Sequence, residues 1–388
     1  MKYRKACVIT KNYPDSGFIE RGIFVEKLVR EWSSKGLSVD VVAPQSIVHL
    51  FRQIPIKKFS DLNIAGNRIL RPLYFSVSNK SVLEFDMNRL SRNWFLKAAQ
   101  KGVSGLTVPD FFYGKFLQTG GLAALNAGRV YNRPCFADIG ESVLTERLND
   151  KDRELAAQTV QSLDGIVCVS DELKEEVMGL GADPGRVISQ PNTADMERFN
   201  PRDQTDCRRK LSLPEDLPVV IFVGHFIERK GPLRVLKAIE QASDLSVKGV
   251  FIGRGEQKPK GEHVLHTGPV PNDELPVWLN AADLFVLPTQ QEGHCNAINE
   301  AMACGLPIVS SEIPEVKNQV PKDAGLLVNP DDVQAIEKAM RRLIDNPEER
   351  KEMGQRAYQV QSSRSSKSRS AIILEWLDQL LTTKQYTK

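Results

Sequence analysis

Short apolar runs alternate with amphipathic segments along the chain. Residues 6–10, 39–43 and 219–223 are mainly apolar and are bounded by polar or turn-forming residues, which predicts buried strands. After two of these runs, residues 23–35 and 233–241 carry apolar side chains at helical spacing. A strand, a glycine-bearing loop, a helix and a second strand in succession predict the beginning of a doubly wound α/β sheet.

The most informative stretch is residues 292–311, EGHCNAINEAMACGLPIVSS. Its centre predicts a helix, because apolar residues recur there at four-residue spacing. A glycine followed two residues later by a proline predicts where that helix ends. Apolar runs at 284–287 and 306–309 flank it, so the whole segment is expected to form a βαβ crossover.

The start of this helix has the chemistry of an anion site. Its first backbone N–H groups have no partner within the helix and carry positive partial charge, which favours a diphosphate. These groups belong to Asn296, Ala297 and Ile298. Glu292, in the loop with Gly293, and Glu300, about one turn into the helix, supply carboxylates, which accept hydrogen bonds from sugar hydroxyls. The combination indicates a nucleotide-sugar, and a solvated helix position is the alternative for Glu300.

Cations stand just before a second predicted helix, residues 233–241. Arg229 and Lys230 are unfavourable for the dipole of that helix unless an anion joins them. Arginine can clamp a diphosphate and lysine supplies a compact charge, so the pair predicts a phosphate site. Two solvated loop cations are the alternative. Gly224 and Arg254 follow neighbouring predicted strands, whose carboxyl ends face the same ligand edge.

The first half of the chain offers weaker signals. The loop of residues 11–22, KNYPDSGFIERG, follows the first predicted strand, so Gly17 and Gly22 are candidates for close ligand approach. A plain turn is the alternative for Gly17. Between residues 46 and 102, ten Lys and Arg residues face only three acidic residues, with aromatic residues interleaved. This composition predicts either a solvated basic face or contact with anionic lipid headgroups.

The donor-site chemistry above comes with a family resemblance. Glu292 followed by Glu300, and then the run AMACGLPIV, resembles the donor motif of retaining glycosyltransferase family four, the group 1 glycosyltransferases. Residues 187–201, VISQPNTADMERFNP, resemble the segment where that family passes from one domain to the other, with Thr193 in place of the usual glycine. Lys230 and the glycine after it match the family's lysine–glycine pair.

The sequence also departs from the family pattern. His294 and Cys295 stand where the family usually has Phe-Gly, and His225 stands where arginine is common. Near Asp138 the family usually has a histidine or another polar group beside the reacting sugar, and this chain has no histidine there.

The resemblance implies the GT-B architecture, which consists of two Rossmann-like doubly wound α/β domains facing a central cleft. The domains are expected at residues 1–196 and 197–369, and a last helix within 370–388 is expected to cross back to the first domain. The implied reaction moves a sugar from a nucleotide diphosphate sugar, UDP being favoured, to a carbohydrate or lipid-linked acceptor hydroxyl. Retention of configuration, independence of metal and cofactor, and a place in cell-surface polysaccharide or glycolipid synthesis follow from the same resemblance.

The resemblance also implies residue roles. Arg229 and Lys230 oppose the charge on the leaving phosphate, and Glu292 holds hydroxyls of the donor sugar. Glu300 holds the ribose, and the backbone of Val270 is a candidate contact for the base.

The acceptor side is assigned more loosely. Asp138 and Glu141 are the polar groups nearest the position of the reacting sugar, and Asp138 is the one assigned a catalytic role. Glu20 and Arg21 are candidates for acceptor contact.

Length, charge and cysteine spacing narrow the possible classes of protein further. The length of 388 residues suffices for two domains, and a net charge of +3 is too small to indicate nucleic acid as a partner. The six cysteines show no C-x-x-C spacing and read as reduced thiols. The N-terminal apolar run is too short for a signal peptide, so we expect a cytoplasmic protein. Peripheral contact with the inner face of the membrane is the alternative that the basic stretch of residues 46–102 leaves open.

Two other classes stay open. A sugar-nucleotide epimerase or hydrolase on the same fold would convert the donor without an acceptor. A catalytically inactive partner subunit that binds a nucleotide-sugar is the second, because histidines replace residues that the family usually has.

Overall fold

The computed structural model describes residues 3–14, 22–48, 67–76, 87–141, 144, 148–365 and 368–383. The chain divides into two compact units. The N-terminal unit comprises Met1–Pro191 together with Arg369–Lys388, and the C-terminal unit comprises Asn192–Ser368. The division after Pro191 lies slightly before the boundary expected at residue 196.

The N-terminal unit is built on a parallel seven-stranded sheet of order β4-β2-β1-β6-β7-β8-β9. A short parallel pair, β3 and β5, lies beside it. The strands are β1 Lys5–Ile9, β2 Ser38–Val42, β3 Gln45–Ser46, β4 Ile69–Leu70, β5 Leu73–Tyr74, β6 Phe111–Lys115, β7 Cys135–Ile139, β8 Gly165–Cys168 and β9 Val187–Ser189.

Helices cover both faces of this sheet. They are α1 Ile23–Ser34, α2 Met87–Ser104, α3 Leu122–Tyr131, α4 Asp150–Ser162, α5 Asp171–Gly179 and the last helix, α13 Arg369–Thr383. Within β1, Cys7 and Ile9 belong to one apolar core, and Ala6 and Val8 belong to the other. Because neighbouring strand residues point to opposite faces, this alternation is what a sheet buried on both sides requires.

The C-terminal unit repeats the plan with a parallel six-stranded sheet of order β12-β11-β10-β13-β14-β15. Its strands are β10 Val219–Val223, β11 Lys248–Ile252, β12 Val264–Gly268, β13 Leu284–Leu287, β14 Ile308–Ser311 and β15 Gly325–Val328. Its helices are α6 Gln204–Lys210, α7 Pro232–Gln241, α8 Leu275–Ala281, α9 Asn296–Ala303, α10 Pro314–Gln319, α11 Val333–Asp345 and α12 Pro347–Arg364. The prediction of an α/β protein with two Rossmann-like doubly wound domains is confirmed.

The last helix, α13, packs on α1 and β8 of the N-terminal unit. The indole N–H of Trp32 donates a hydrogen bond to the Ser370 carbonyl at 2.9 Å, and the Tyr3 hydroxyl donates to the Leu381 carbonyl at 2.7 Å. Apolar side chains of α13 join the same core as Trp32, which explains why the chain returns to this face.

Two helix boundaries lie in segments without apolar periodicity. Helix α12 continues into the polar segment after residue 360 and ends at Arg364. The guanidinium of Arg364 donates to the carbonyls of Asn318 and Gln319, and this tertiary contact holds the last helical turn. Helix α4 begins at Asp150, and the Asn149 side chain caps it by accepting from the Asp152 N–H.

Among the described residues, no helix is both long and apolar enough to cross a bilayer.

Candidate functional site

Three loops of the C-terminal unit leave the sheet at one edge. Strand β10 lies between β11 and β13, and because all three are parallel, the loops after their carboxyl ends are neighbours. Gly253 has φ +155°, and an added Cβ would lie 1.8 Å from the Gly224 carbonyl oxygen. The N–H of Phe226 donates to the Arg254 carbonyl at 2.8 Å, while the Arg254 side chain is exposed. Backbone therefore packs on backbone where Gly224 and Arg254 were predicted to meet a ligand.

The loop with the two predicted cations contacts the loop with the predicted carboxylate. The N–H of Gln290 donates to the Arg229 carbonyl at 2.8 Å, and the Arg229 guanidinium donates to the Gln291 carbonyl. The Lys230 ammonium forms an ion pair with Glu292. The structure thus brings Arg229, Lys230 and Glu292 together, although 62 positions separate the paired residues.

The ion pair between Lys230 and Glu292 is largely shielded from water. Their side chains are 12% and 9% exposed, respectively. The sequence analysis assigned Lys230 to a phosphate and Glu292 to sugar hydroxyls. It did not predict the ion pair between these two residues. A shielded pair of this kind holds both groups in place, and an incoming anion could share the lysine.

Arg234 was missed by the sequence analysis. Its guanidinium pairs with Glu228 at 2.5 Å and donates to the Pro288 carbonyl at 3.0 Å. It therefore links the loop after β10 to the loop after β13. The pair Glu228 and Arg234, six residues apart around the start of α7, was the available signal.

Helix α9 begins beside this ion pair. Cys295 is its N-cap and is buried. Burial and the nearby charge of Glu292 raise the pKa of the Cys295 thiol to about 12, and Lys230 opposes the shift. Glu292, three residues before this N-cap, and its partner Lys230 therefore lie near the start of α9.

The other predicted donor-site residues lie around the same helix and edge. Gly293 is buried between Glu292 and the helix, and Asn296 is exposed at its first position. Glu300 is half-buried one turn in, close enough to Cys304 to raise the pKa of that buried thiol. Val270 follows β12 and packs its side chain on the core.

Asp138, assigned a catalytic role from sequence, has a different setting in the N-terminal unit. Its carboxylate is fully buried and accepts from Arg369 at 2.9 Å on each oxygen, from Lys115 at 2.5 Å and from the Tyr113 hydroxyl at 2.8 Å. Burial alone would raise the pKa of Asp138, but Arg369 and Lys115 hold it well below its usual range. Since both oxygens are engaged within the core, we leave Asp138 out of the donor site and assign it to anchoring α13.

Of the remaining candidates in the N-terminal unit, two have contacts within the fold and three lie outside the described residues. Glu141 accepts from the N–H groups of Leu117 at 2.6 Å and Gly140 at 3.0 Å, and burial raises its pKa to about 7. Gly22 is the N-cap of α1 with φ +77°, and an added Cβ would lie 2.3 Å from the Asn12 carbonyl oxygen. The backbone turn itself thus requires Gly22. Gly17, Glu20 and Arg21 lie outside the described residues.

Comparison with known proteins finds a family that matches part of the chain. Residues 203–360 match the family described as "Glycosyl transferases group 1". The protein TuaC of Bacillus subtilis, named as a glycosyltransferase of teichuronic acid biosynthesis, is 27% identical over 350 residues, which cover 86% of this chain and 87% of TuaC. D-inositol 3-phosphate glycosyltransferase 2 of Catenulispora acidiphila is 30% identical over 225 residues, which span about half of each chain: 52% of this one and 53% of the relative.

Solved structures agree on the fold. Sucrose-phosphate synthase from Thermosynechococcus elongatus superposes with a TM-score of 0.78 at 17% identity, covering 98% of this chain and 100% of that one. The Anabaena protein Alr3699/HepE in complex with UDP and glucose gives a TM-score of 0.70 at 14% identity over the same shares of the two chains. Residues 203–360 thus match group 1 glycosyltransferases, and the chain shares with these solved structures a fold that here consists of two Rossmann-like units.

Proposed function

We propose that this protein is a group 1 glycosyltransferase that moves a sugar, with retention of configuration, from a nucleotide diphosphate sugar to an acceptor hydroxyl. The ion pair of Lys230 with Glu292, which lies three residues before the N-cap of α9, carries the proposal. Helix amides and a lysine suit a diphosphate, and a carboxylate suits sugar hydroxyls. UDP is favoured because the Anabaena relative of the same fold is described in complexes with UDP and UDP-glucose.

The acceptor class is proposed from the relatives' names. TuaC, which aligns over most of its length, is named for teichuronic acid biosynthesis, so we propose an acceptor in cell-surface polysaccharide or glycolipid synthesis.

In the proposed mechanism, departure of the nucleotide places negative charge on the leaving phosphate. Lys230, Arg229 and the amides of Asn296, Ala297 and Ile298 oppose that charge, and groups aimed at developing charge each lower the barrier by a few kcal/mol. The phosphate itself takes the acceptor's proton, so Glu292 is not needed as a base, and its carboxylate accepts from hydroxyls of the donor sugar beside Lys230. Because fixed cations do this work, we propose that no metal is needed.

Kinetics test the assignment. Lys230→Ala should lower kcat/KM on the order of 100-fold, because it removes charge opposed to the leaving phosphate. Glu300→Ala should raise the KM of the donor roughly tenfold by losing a hydrogen bond to the ribose. Arg209→Ala, which removes an exposed cation of the same unit, is the control and should leave both constants unchanged. Wild-type rates in Lys230→Ala and Glu300→Ala would contradict the proposal.

Product analysis separates the alternatives. Donor incubated without acceptor should stay intact, whereas an epimerase or hydrolase would convert it. An inactive partner subunit would bind a nucleoside diphosphate in calorimetry but transfer nothing. The NMR coupling at the new anomeric centre reports retention, and an unchanged rate in EDTA is expected if no metal takes part.

A peripheral membrane contact is proposed for the N-terminal unit. Phe75 and Leu90 are 51% and 39% exposed, and the ring of Phe75 packs edge-on against Trp94 at 5.7 Å between centroids. Lys97 and Lys101 lie on the same side of α2 as Leu90 and Trp94, since these positions follow helical spacing. Apolar side chains beside lysines suit an anionic lipid surface, and we propose the inner face of the cytoplasmic membrane.

A further inference from the structure

Two buried amide side chains lie behind the N-terminus of α9, and together they form what we call the amide relay, Asn299 and Gln319. They are 2% and 1% exposed. The relay ends at His294, which lies two residues after Glu292 and is only partly buried. Neither amide belongs to the phosphate-binding groups described above, and a fully buried polar pair needs a definite arrangement of donors and acceptors.

The backbone fixes the orientation of Gln319. The N–H of Cys295 can only donate, and it lies 3.1 Å from Gln319 Oε1. Gln319 Nε2 must therefore be the donor, and it contacts the Cys295 carbonyl at 2.6 Å and Asn299 Oδ1 at 2.8 Å. The amide cannot be turned over without setting N–H against N–H and oxygen against oxygen.

The orientation of Gln319 in turn fixes Asn299. Because Asn299 Oδ1 accepts from Gln319, its Nδ2 is the donor, and it lies 2.8 Å from the Asn192 carbonyl, which can only accept. The same Nδ2 lies 3.0 Å from His294 Nε2. His294 Nε2 must therefore be the unprotonated acceptor, so the ring is neutral and carries its proton on Nδ1.

A neutral ring suits this position. A charged imidazolium two residues from Glu292 would compete with Lys230 for the carboxylate, whereas a neutral ring leaves that ion pair intact. The phenylalanine that the family usually has would fill a similar volume without any relay. Two buried amides therefore fix which nitrogen of the His294 ring carries the proton.

We propose that His294 is a specificity-determining residue of the donor site, whose Nδ1–H donates a hydrogen bond to an oxygen of the bound nucleotide-sugar. Asn299 and Gln319 are positioning residues that hold the ring in this tautomer. The ligand contact rests on the proposed function, while the tautomer rests on the hydrogen bonds alone.

The tautomer is tested first, on the full chain without ligand. Long-range proton–nitrogen NMR of protein labelled with 15N-histidine distinguishes the two neutral tautomers and the charged ring. His294→Phe identifies the signal among the five histidines of the chain. A neutral ring protonated on Nδ1 is expected, and a ring protonated on Nε2, or on both nitrogens, at neutral pH would overturn the proposal.

The relay is tested by Asn299→Leu, which removes the donor to the ring. The His294 signal should then change to a mixture of tautomers, while an unchanged spectrum would show that the relay does not set the proton. If Asn299→Leu fails to fold, Asn299→Ser, which is smaller and retains a hydroxyl, serves in its place with the same expectation of a changed tautomer population.

The ligand contact is tested by three substitutions at His294. His294→Asn keeps an N–H donor near the position of Nδ1 and should hold kcat/KM within about threefold of wild type. His294→Phe lacks a donor, and His294→Gln places one near Nε2, so both should lower kcat/KM roughly tenfold, the effect of one lost hydrogen bond. Equal rates in wild type and His294→Phe, or equal losses in His294→Asn and His294→Phe, would overturn the contact.

Calorimetry with UDP locates the oxygen that receives the bond and separates this proposal from the proposed function. Unchanged UDP affinity in His294→Phe, with a raised KM for the whole donor, places the contact on the sugar, and a tenfold weaker UDP complex places it on the phosphates. If wild type bound no nucleoside diphosphate at all, the proposed function would fail and the ligand contact with it, while the NMR spectrum would still decide the tautomer.

Discussion

At the scale of single residues, the ion pair between Lys230 and Glu292 allows a prediction about stability. Each is the other's charged partner in a largely shielded position, so removing one leaves the other without compensation. Lys230→Met and Glu292→Gln should each lower the free energy of unfolding by about 3 kcal/mol, and the double variant should lose clearly less than the sum. Urea unfolding of the four proteins measures this. Additive losses would mean that the two side chains do not interact in solution.

The site residues show where sequence reasoning stopped. Residue chemistry singled out Lys230, Glu292 and the first amides of α9 as candidates, because charge and helix termini can be read locally. The contacts among them could not be read, since the pairing of Lys230 with Glu292 depends on β10 and β13 being neighbours in the sheet. Gln319 carried no signal, because a lone glutamine in a polar helix looks solvated until the fold brings it against Cys295.

Elements were easier to predict than contacts. The strand at 219–223 has the expected bounds at both ends, because its apolar pattern is uninterrupted. Apolar spacing does not mark the start of helix α4, since its first turn is charged and its start is set by the Asn149 cap. Charged first turns carry no apolar period, so only the capping residue marks them.

Helix α2 carries the prediction at the element scale. If its face of Leu90, Trp94, Lys97 and Lys101, with Phe75 against it, meets lipid, then removing apolar area there should weaken binding to anionic vesicles. Phe75→Ser combined with Leu90→Ser should reduce co-sedimentation with phosphatidylglycerol vesicles several-fold.

The control for α2 is an even more exposed apolar residue elsewhere on the N-terminal unit. Val130→Ser, at a position 64% exposed on α3, should leave vesicle binding unchanged. Binding that falls equally in both proteins, or in neither, would contradict a specific membrane face on α2.

At the scale of the whole chain, a buried ion cluster adds to apolar packing in holding α13 on the N-terminal unit. Arg369 donates to both oxygens of Asp138, which Lys115 also contacts, and burial lowers the pKa of Lys115 to about 8. Without Arg369, Lys115 is the charged partner that the carboxylate keeps among the residues that the structure describes. Arg369→Ala should therefore lower the free energy of unfolding by about 3 kcal/mol.

The loss of stability in Arg369→Ala should be concentrated at α13, because Arg369 is the first residue of this helix and also donates to the Gln190 carbonyl at 2.8 Å. Hydrogen exchange followed by mass spectrometry should find the amides of α13 opening faster in Arg369→Ala, while those of α7 keep their protection. Arg356→Ala is the matched control, since it removes a guanidinium whose ion pair with Asp323 is exposed, and such pairs contribute about 0–1 kcal/mol. Equal exchange of α13 in the two variants would mean that apolar packing against Trp32, and not the buried charges, holds the returning helix.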